Sequence, residues 1–365
     1  MKVTVVGAGI GGLATAWSLS GRGHEVTLLE QAPVIPNPYA ASGDQHRIIR
    51  RAYGSADGYA RTIPEAFAAW DEMWVDLGRS HLANCGVLGV SLLEGDEGEQ
   101  YREGLDRTAA PYTLHKPAEA AIRWPFLDAA TLRYAYFSAD GGALFPARIT
   151  ADLLRLLAER GVAIRAGTRV SSVEANAGLV ILEDGTRIAS DQIVVTAGAW
   201  VLRLFPELGD ALKTYRTAVV YLDPPVDLRD AWQRAPAMVS VGGDNHGYIL
   251  PPVDGTELKL GAGIHRRPKE PDEEREPRPG EGEQIRDYFA PPLARLNEYR
   301  VKRTATCAYT FTGDGTFLAR RIGKALVVSA CSGHGYKFGA AVGRRVATAL
   351  ESGDDAGLFR WLRAE

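Results

Sequence analysis

The 365-residue sequence contains few cysteines, no long apolar segment and no excess of basic charge. Its three cysteines, Cys85, Cys307 and Cys331, form an odd and sparse set, which argues against a disulfide framework and fits a reducing compartment. No apolar run approaches the length of a membrane-spanning helix. Because 42 basic side chains stand against 45 acidic ones, for a formal net charge of −3, the composition does not favour binding to nucleic acids or anionic membranes.

Targeting signals are also lacking. The first apolar stretch, residues 3–6, runs directly into glycines and is too short for a secretory signal, and residues 363–365 match no targeting motif. With 45% hydrophobic and 24% charged residues, the composition is that of an ordinary globular protein of about two domains. We therefore expect a cytoplasmic monomer whose partners are small molecules.

The N-terminal residues have the pattern of a β-α-β unit. A β-branched run at residues 2–6 predicts a buried strand, residues 13–20 predict a helix, and residues 25–29 predict a second strand. A glycine-rich turn connects the first strand to the helix. A turn of this kind presents the free N–H groups and positive dipole of a helix N-terminus, which are suited to binding phosphate groups.

Gly7, Gly9 and Gly12 of that turn match the pattern G-x-G-x-x-G. The first glycine allows the tight turn, the second lets the backbone approach a pyrophosphate, and the third lets the helix pack on the strand. Glu30 ends the second strand at about the spacing expected for a ribose-binding carboxylate. The alternative is a similar turn in another α/β protein, and the motif alone does not separate FAD from NAD. Its N-terminal place and the lack of a second copy favour FAD.

The rest of the chain mixes strands and helices. We predict helices at residues 64–77, 149–160 and 338–350, and strands at residues 86–93, 163–164, 170–173, 179–182, 192–196, 215–222, 247–250 and 325–329. Residues 266–284 are charged and rich in proline and glycine, which predicts an exposed loop.

Strand and helix patterns of the dinucleotide-binding kind occur at both ends of the chain. We therefore predict an α/β fold with a Rossmann-like FAD-binding domain built from discontinuous segments and an inserted α+β substrate domain with a mixed sheet. The predicted bounds are 1–80, 145–205 and 320–365 for the FAD-binding domain and 81–144 and 206–319 for the substrate domain.

Four segments resemble a known family and occur in its order: HRIIRRAYG at 46–54, KLG at 259–261, TCAYT at 306–310 and SGHGYKF at 332–338. The chain thereby resembles the monomeric sarcosine oxidase and N-methyltryptophan oxidase family, within the glycine and D-amino-acid oxidase-like flavoenzymes. The resemblance covers essentially the whole chain. It implies an FAD-dependent oxidoreductase acting on CH–NH or CH–NH2 donors.

Cys307 lies in the TCAYT segment. In the resembled family this cysteine bonds covalently to the 8α-methyl group of the flavin, so the resemblance implies a covalent FAD. Arg47 matches a family arginine near the flavin. The alternative for Cys307 is a buried structural cysteine, which is also what we expect of Cys85 and Cys331.

Two cations match the family's substrate-binding residues. Arg50 corresponds to the arginine that grips the substrate carboxylate, a task suited to its planar fork of donors, and Lys337 corresponds to a second cation there. The alternatives are a solvated basic loop for Arg50 and a solvated lysine at a helix start for Lys337.

Lys259 matches a lysine that the family places over the flavin, where its charge promotes the reduction of oxygen. The alternative is an edge-strand lysine whose ammonium reaches water. Tyr248 matches an active-site tyrosine, with a half-buried strand tyrosine as the alternative. Tyr309 follows the cysteine at the family spacing.

Further matches concern FAD. Gly333, His334 and Gly335 resemble the family's flavin-contacting loop, in which glycines allow close backbone approach. Residues 198–200 (GAW) resemble a turn along the FAD, and Val170 matches a position whose backbone meets the adenine.

The sequence departs from the family at two places. Residues 43–46 (GDQH) stand where the family often has His-Gly-Asp-Thr, and Gly263 stands where it tends to have a histidine, with His265 two residues later. These changes put sarcosine itself in doubt more than oxidase chemistry. We expect oxidation of a secondary amino acid, N-methylated or cyclic, to an imine with release of hydrogen peroxide. The alternatives are a flavin-dependent amino-acid dehydrogenase with another electron acceptor, and a non-catalytic FAD-binding scaffold.

Overall fold

The computed structural model describes residues 1–54, 57–244, 246–329 and 331–365, with the side chain of Asp57 excepted. The strands are Lys2–Val6 (β1), Glu25–Leu29 (β2), Arg47–Arg50 (β3), Leu82–Ala83 (β4), Val87–Ser91 (β5), Thr113–His115 (β6), Tyr134–Ser138 (β7), Gly141–Leu144 (β8), Ala163–Arg165 (β9), Val170–Glu174 (β10), Leu179–Leu182 (β11), Arg187–Ala189 (β12), Gln192–Val195 (β13), Leu212–Asp223 (β14), Ala237–Val241 (β15), Gly247–Leu250 (β16), Leu258–Gly261 (β17), Arg267–Pro268 (β18), Arg300–Thr312 (β19), Leu318–Ile322 (β20) and Ala325–Ser329 (β21).

The α-helices are Ile10–Gly21 (α1), Asp57–Leu77 (α2), Glu97–Arg107 (α3), Pro117–Arg123 (α4), Pro146–Glu159 (α5), Val201–Leu204 (α6), Arg229–Gln233 (α7), Glu281–Asp287 (α8), Gly339–Ser352 (α9) and Asp355–Arg363 (α10). The helical periodicity of the sequence is visible in α2, where apolar residues spaced three and four apart are buried: Ile63, Ala66, Trp70, Met73 and Leu77.

A six-stranded sheet contains the N-terminal unit, in the strand order β20-β21-β13-β1-β2-β9. All its pairings are parallel except that of β20 with β21. Its central strands are almost entirely apolar, as expected for parallel strands covered on both faces. Helices α1 and α9 pack closely because Gly343 has no side chain: a Cβ there would lie 2.3 Å from the backbone of Ala14.

A nine-stranded mixed sheet forms the other large layer. Its order is β18-β14-β17-β16-β15-β5-β7-β6, and β19 pairs with β14 as well. On one face lies an apolar core that includes Phe126 and Trp232, whose rings stack with centroids 3.8 Å apart. Two three-stranded sheets, β10-β11-β12 and β3-β8-β4, complete the architecture.

The arrangement confirms the predicted α/β fold with a Rossmann-like dinucleotide-binding part and a second, mixed sheet. The strands of the six-stranded sheet come from residues 2–29, 163–195 and 318–329, and those of the nine-stranded sheet from residues 87–138 and 212–312. The domain bounds given above stay a prediction. Within the part of the chain that the structure describes, no helix is long and apolar enough to cross a membrane.

The prediction of an exposed loop at residues 266–284 is wrong in part. They contain β18 and the start of α8, whose first residue, Glu281, is 1% exposed. The Glu281 carboxylate forms a two-point ion pair with the buried Arg216 and a second pair with Arg267, at 2.9 Å. A buried charge needs such partners, and the buried one, Arg216, comes from β14, far away in sequence. The charged composition predicted exposure, whereas Glu281 and Arg216 form a buried ionic cluster.

Candidate active site

The glycine-rich turn after β1 leaves no room for side chains. Gly7 has φ +101°, and a Cβ on it would lie 2.6 Å from the carbonyl oxygen of Thr196. A Cβ on Gly12 would lie 1.8 Å from the carbonyl oxygen of Gly7. Helix α1 begins directly after Gly9, so the turn lies at the positive end of the helix dipole, where the first N–H groups have no carbonyl partner within the helix. This is the local geometry that a pyrophosphate requires.

Glu30 lies at the end of β2 and is 8% exposed. One carboxylate oxygen accepts a hydrogen bond from the Ala8 amide at 2.8 Å, and the other accepts from the Ala32 amide at 3.0 Å. Each oxygen retains a lone pair for a further donor. Backbone amides thus hold the predicted ribose-binding carboxylate in a fixed position at the wall of a cavity.

That cavity, the first cavity, encloses about 1460 Å³, part of which is open to solvent. It begins at the carboxyl ends of the parallel strands, where α/β sheets bind their ligands. Its wall includes the predicted residues Gly7, Gly9, Glu30, Arg47, Val170, Gly198, Trp200, Gly333 and Gly335. Gly12 instead packs α1 against the turn. The volume of the cavity and the absence of room for a side chain at Gly7 and Gly335 fit FAD.

A second cavity of about 1050 Å³, also partly open to solvent, lies against the nine-stranded sheet. Both cavities are lined by Arg47, Tyr309, Gly333 and Tyr336. The second cavity is further lined by the predicted residues Arg50, Tyr248, Lys259, His334 and Lys337. A cofactor held in the first cavity with its reactive ring at this junction would therefore face the second cavity.

Strand alternation explains how the nine-stranded sheet contributes polar groups to the second cavity. In β17, Leu258 and Leu260 belong to the apolar core, so Lys259 between them is on the opposite face. In β16, Ile249 belongs to the same core, and Tyr248 beside it is on the cavity face. One face of the sheet thus builds the core and the other builds the site.

Arg50 is held between two aromatic rings. Its guanidinium carbon lies 4.6 Å from the ring centroids of both Tyr53 and Tyr101, and its Nη2 donates a hydrogen bond to the Tyr101 hydroxyl at 3.0 Å. Its Nη1 is buried and has no hydrogen-bond partner among the described residues. A buried arginine with a free donor is prepared to bind an anion.

Lys337 is 4% exposed and lies in the turn before α9. Its Nζ donates to the His334 carbonyl at 3.1 Å and lies 5.6 Å from the Tyr53 ring centroid. Burial lowers the pKa of Lys337 well below its ordinary value, and the charge of Arg50 lowers it further. Within residues 1–54, 57–244, 246–329 and 331–365, no carboxylate forms an ion pair with Lys337 or Arg50, although the Glu97 carboxylate lines the same cavity and interacts electrostatically with Arg50. The two cations therefore form a candidate anion site without a directly paired counter-ion.

Lys259 is fully buried, at 0% exposure, and its contacts differ from those of Lys337. Its Nζ forms an ion pair with the Asp44 carboxylate at 2.9 Å and donates to the His46 carbonyl at 2.6 Å. The ammonium also lies 5.7 Å from the ring centroid of Tyr248. Burial lowers the pKa of Lys259 to about 8, against the opposing effect of the Asp44 charge.

Asp44 joins Lys259 to Arg47. Arg47 Nη1 donates to the Asp44 carboxylate at 2.9 Å, and the Tyr221 hydroxyl donates to the same carboxylate. Burial by itself would raise the pKa of Asp44, but the charges of Lys259 and Arg47 outweigh burial and lower it to about 2. Asp44 is therefore ionised and serves as counter-ion to two buried cations.

Cys307 lies on β19, opposite Thr217 of β14, and is half-buried. Burial raises the pKa of the Cys307 thiol, and the charges of Arg47 and Lys259 partly offset this. The next residue, Ala308, lines the first cavity. Cys85 and Cys331 are partly buried against apolar clusters, and Cys331 also lines the first cavity. The covalent bond to flavin stays a prediction.

The loop before α9 places a half-buried histidine beside the second cavity. The ring of His334 packs against Tyr59, with centroids 4.5 Å apart, and its Nε2 lies 3.1 Å from the Gly315 carbonyl. Burial lowers the pKa of His334 to about 3, so its ring is neutral at physiological pH. A Cβ on the following Gly335 would lie 2.3 Å from the Cβ of Cys331, so only glycine fits there.

Three contributors were not identified from the sequence. Asp44 was noted only as part of a departure from the family pattern, and Tyr101 lies in α3, far along the chain from Arg50. Ser42 lines the first cavity and accepts a hydrogen bond from the Ile10 amide at 2.9 Å, which satisfies a donor at the start of α1. None of these side chains belongs to a local motif, because each acts on a residue distant in sequence.

Known proteins with similar sequences cover nearly the whole chain. The N-methyl-L-tryptophan oxidase of Yersinia pestis (strain Pestoides F) is 27% identical over 359 residues, which covers 93% of this chain and 92% of the relative. This similarity confirms the resemblance that the four sequence segments indicated.

Solved structures share the fold. The L-proline dehydrogenase from P. horikoshii matches with a TM-score of 0.84 at 20% identity, covering 100% of this chain and 96% of that one. The fructosamine oxidase (Amadoriase II) from Aspergillus fumigatus matches with a TM-score of 0.79 at 18% identity, covering 99% and 88%. At 18–20% sequence identity, this structural similarity shows a shared fold and nothing about the reaction.

The family described as FAD dependent oxidoreductase (DAO) matches residues 2–349. The match includes the glycine-rich turn, both cavities and the buried cations between them. It confirms FAD as the cofactor and oxidation–reduction as the class of reaction. The chain therefore belongs to the DAO family of FAD-dependent oxidoreductases.

Proposed function

We propose that this enzyme oxidises a secondary amine bearing a carboxylate, an N-methyl or cyclic amino acid, to an imine and passes the electrons to oxygen. The observation that carries the proposal is the pair of cations without an ion-paired carboxylate, Arg50 and Lys337, next to the junction of the two cavities. The sequence relative named N-methyl-L-tryptophan oxidase supports a substrate of this class.

The chain's own residues orient the substrate. Arg50 and Lys337 bind the carboxylate, and the neighbouring aromatic rings exclude water from that contact. The amine reacts as its free base and loses two electrons and two protons as the imine forms. FAD supplies the two-electron chemistry, and oxygen finally takes up two electrons and two protons to give hydrogen peroxide.

Three residues support the cofactor in this proposal. Lys259 places a positive charge at the second cavity, where negative charge develops as oxygen is reduced. Cys307 tethers the flavin covalently, and Arg47 favours the thiolate that the tether requires. We also propose a cytoplasmic monomer, on the sequence grounds given above.

Substrate class is tested by anaerobic stopped-flow spectroscopy of the flavin. N-methyl and cyclic amino acids are compared with the same amines lacking the carboxylate. We expect the carboxylated amines to bleach the flavin, and the decarboxylated ones to do so with an apparent affinity at least about 1000-fold weaker. Equal reduction by both sets would contradict the carboxylate site.

Covalent attachment is tested by acid denaturation of the purified holoenzyme. We expect the flavin absorbance to stay with the polypeptide, and to be released from Cys307→Ala. The matched control is Cys85→Ala, which should retain the flavin because Cys85 lies away from the first cavity. Release of FAD from the unsubstituted enzyme would show non-covalent binding.

A second candidate function is an amino-acid dehydrogenase that uses a quinone or a protein as electron acceptor. Reoxidation of the reduced enzyme by air and by a soluble quinone distinguishes the two. Faster turnover with oxygen supports the oxidase.

A further inference from the structure

The ion pair of Asp44 and Lys259 joins two parts of the chain that are 215 residues apart in sequence. Asp44 lies in the turn before β3, and Lys259 is in the middle of β17. Their charged atoms are 2.9 Å apart, and the side-chain exposures are 9% for Asp44 and 0% for Lys259. Only the tertiary fold creates this contact, and Asp44 itself is not part of the wall of either cavity.

The groups around Lys259 come from every element packed against it. The turn before β3 contributes Asp44 and the carbonyl and neutral ring of His46, and β3 contributes Arg47. The remaining neighbours are Tyr248 of β16, Tyr221 of β14 and Cys307 of β19. Among these described neighbours Asp44 is the one carboxylate. The others are a cation or groups that are neutral at physiological pH.

A buried ammonium is stable only with compensation. Burial already lowers the pKa of Lys259 to about 8, and the positive charge of Arg47 acts in the same direction. The Asp44 charge and hydrogen bond are the principal opposing effects. Without Asp44, Lys259 would lose its proton at a lower pH, and its chain would lose the partner that fixes the position of Nζ.

We propose that Asp44 is a positioning residue that keeps the Lys259 ammonium charged and directed at the second cavity, and thereby sets the upper pH limit of oxygen reduction. The inference rests on the proposed use of oxygen as electron acceptor. It assigns Asp44 an effect on the oxidative half of the cycle through Lys259. Binding of the substrate carboxylate depends on the separate cations Arg50 and Lys337.

The primary test is the rate at which chemically reduced holoenzyme is reoxidised by oxygen, measured from about pH 6 to about pH 10. In the unsubstituted enzyme the rate constant should fall as the pH rises through about 8. In Asp44→Asn the same fall should occur at least about one pH unit lower, which makes reoxidation at least about twofold slower at pH 7 and about fivefold slower at pH 8. Asp44→Glu, which keeps the negative charge, should have a pH midpoint close to that of the unsubstituted enzyme.

Lys259→Met is the reference variant. Its reoxidation should be slow and independent of pH over this range, because the titrating group is gone. An unchanged pH midpoint in Asp44→Asn would overturn the proposal. Since the flavin is reduced chemically, this result does not depend on the amine substrate. Anaerobic reduction by the amine, measured in the same variants, tests the proposed function separately and should be little affected by Asp44→Asn.

A second measurement does not need Asp44→Asn to fold and does not use turnover. Sulfite binds oxidised flavins as an anion, so its affinity reports positive charge near the ring. As the pH rises through about 8 and Lys259 loses its proton, the affinity of the unsubstituted enzyme for sulfite should fall. In Lys259→Met this fall should be missing from the pH profile. Identical pH profiles for the two proteins would show that Lys259 does not carry the charge, and the proposal would fail.

Discussion

The second cavity contains two buried lysines whose environments are opposite in character. Lys259 has a carboxylate counter-ion, Asp44, at 2.9 Å and a strand backbone that fixes its position. Lys337 has a carbonyl oxygen and an aromatic ring as neighbours, and its nearest charged group named above is another cation, Arg50. Each side chain is at most 4% exposed, so burial alone does not account for the difference.

The difference shows how one cavity can use the same residue type for two tasks. A lysine with its own counter-ion keeps its proton whether or not a ligand is bound, which suits a constant electrostatic role. A lysine without one is unstable as an ammonium until an anion arrives, which suits ligand binding. The predictions below are ordered from the largest expected effect to the smallest.

Removing Arg50 should abolish most of the preference for carboxylated amines. Arg50→Met leaves a substrate carboxylate facing Lys337 alone, and losing a buried, charge-assisted contact costs about 4 kcal/mol, or about a thousandfold in kcat/KM. The amine without the carboxylate should react at an unchanged rate. A thousandfold loss for both amines would indicate a general disruption of the site instead.

Removing Asp44 should destabilise the folded protein because it leaves Lys259 and Arg47 without their shared counter-ion. We expect Asp44→Asn to lower the free energy of unfolding near neutral pH by about 3 kcal/mol in urea titrations. Because the folded-state pKa of Asp44 is about 2 and its ordinary value is 3.8, this contribution is present above pH 3.8 and is lost as the pH falls toward about 2. The difference between the two proteins should therefore narrow in acid.

Lys337 should make carboxylate binding depend on pH. The pKa of Lys337 is lowered in the free enzyme, and a bound carboxylate raises it, so binding takes up a proton. Affinity for a carboxylate inhibitor should fall by up to about tenfold per pH unit above the lowered pKa. In Lys337→Met the affinity should be lower in acid and flat with pH, and the proton uptake seen by calorimetry in two buffers should disappear.

Tyr248 gives the smallest expected effect. Its ring lies 5.7 Å from the Lys259 ammonium, and a cation–π contact of this kind contributes about 0.5–1 kcal/mol. Tyr248→Leu should therefore slow reoxidation by oxygen by about two- to fivefold near neutral pH. Tyr248→Phe keeps the ring face and serves as the matched control, with little change. Equal losses in both variants would assign the effect to the hydroxyl.

The N-terminal unit was predictable because its information is local. The strand β1, the glycine turn, α1 and β2 follow one another within 30 residues, and each is specified by its own periodicity or by the space available at Gly7 and Gly12. The observed bounds of β1 and β2 agree with the predicted ones residue for residue. Turn geometry and buried apolar runs require no knowledge of distant residues.

The long strand β19 shows the limit of local patterns. The sequence analysis identified residues 306–310 only by family resemblance, whereas the structure has a strand at Arg300–Thr312 that pairs along the full length of β14. Its residues include several charged ones that lie on the exposed side, so the alternation is weak. The strand is stabilised by backbone hydrogen bonds to β14, and the local sequence does not predict that pairing.

Family resemblance named Lys259 and Lys337 together, but it did not distinguish their electrostatic states. Motifs were sufficient for the dinucleotide-binding unit, and the family resemblance supplied the class of reaction and the principal cations of the second cavity, because those depend on short segments and on residue type. The partner of each buried charge depends on which strands and turns meet in space. Asp44 reaches Lys259, and Glu281 reaches Arg216, across distances in sequence that no local pattern spans. Burial makes the energy of a charge depend on its nearest neighbours, and folding alone brings those neighbours together.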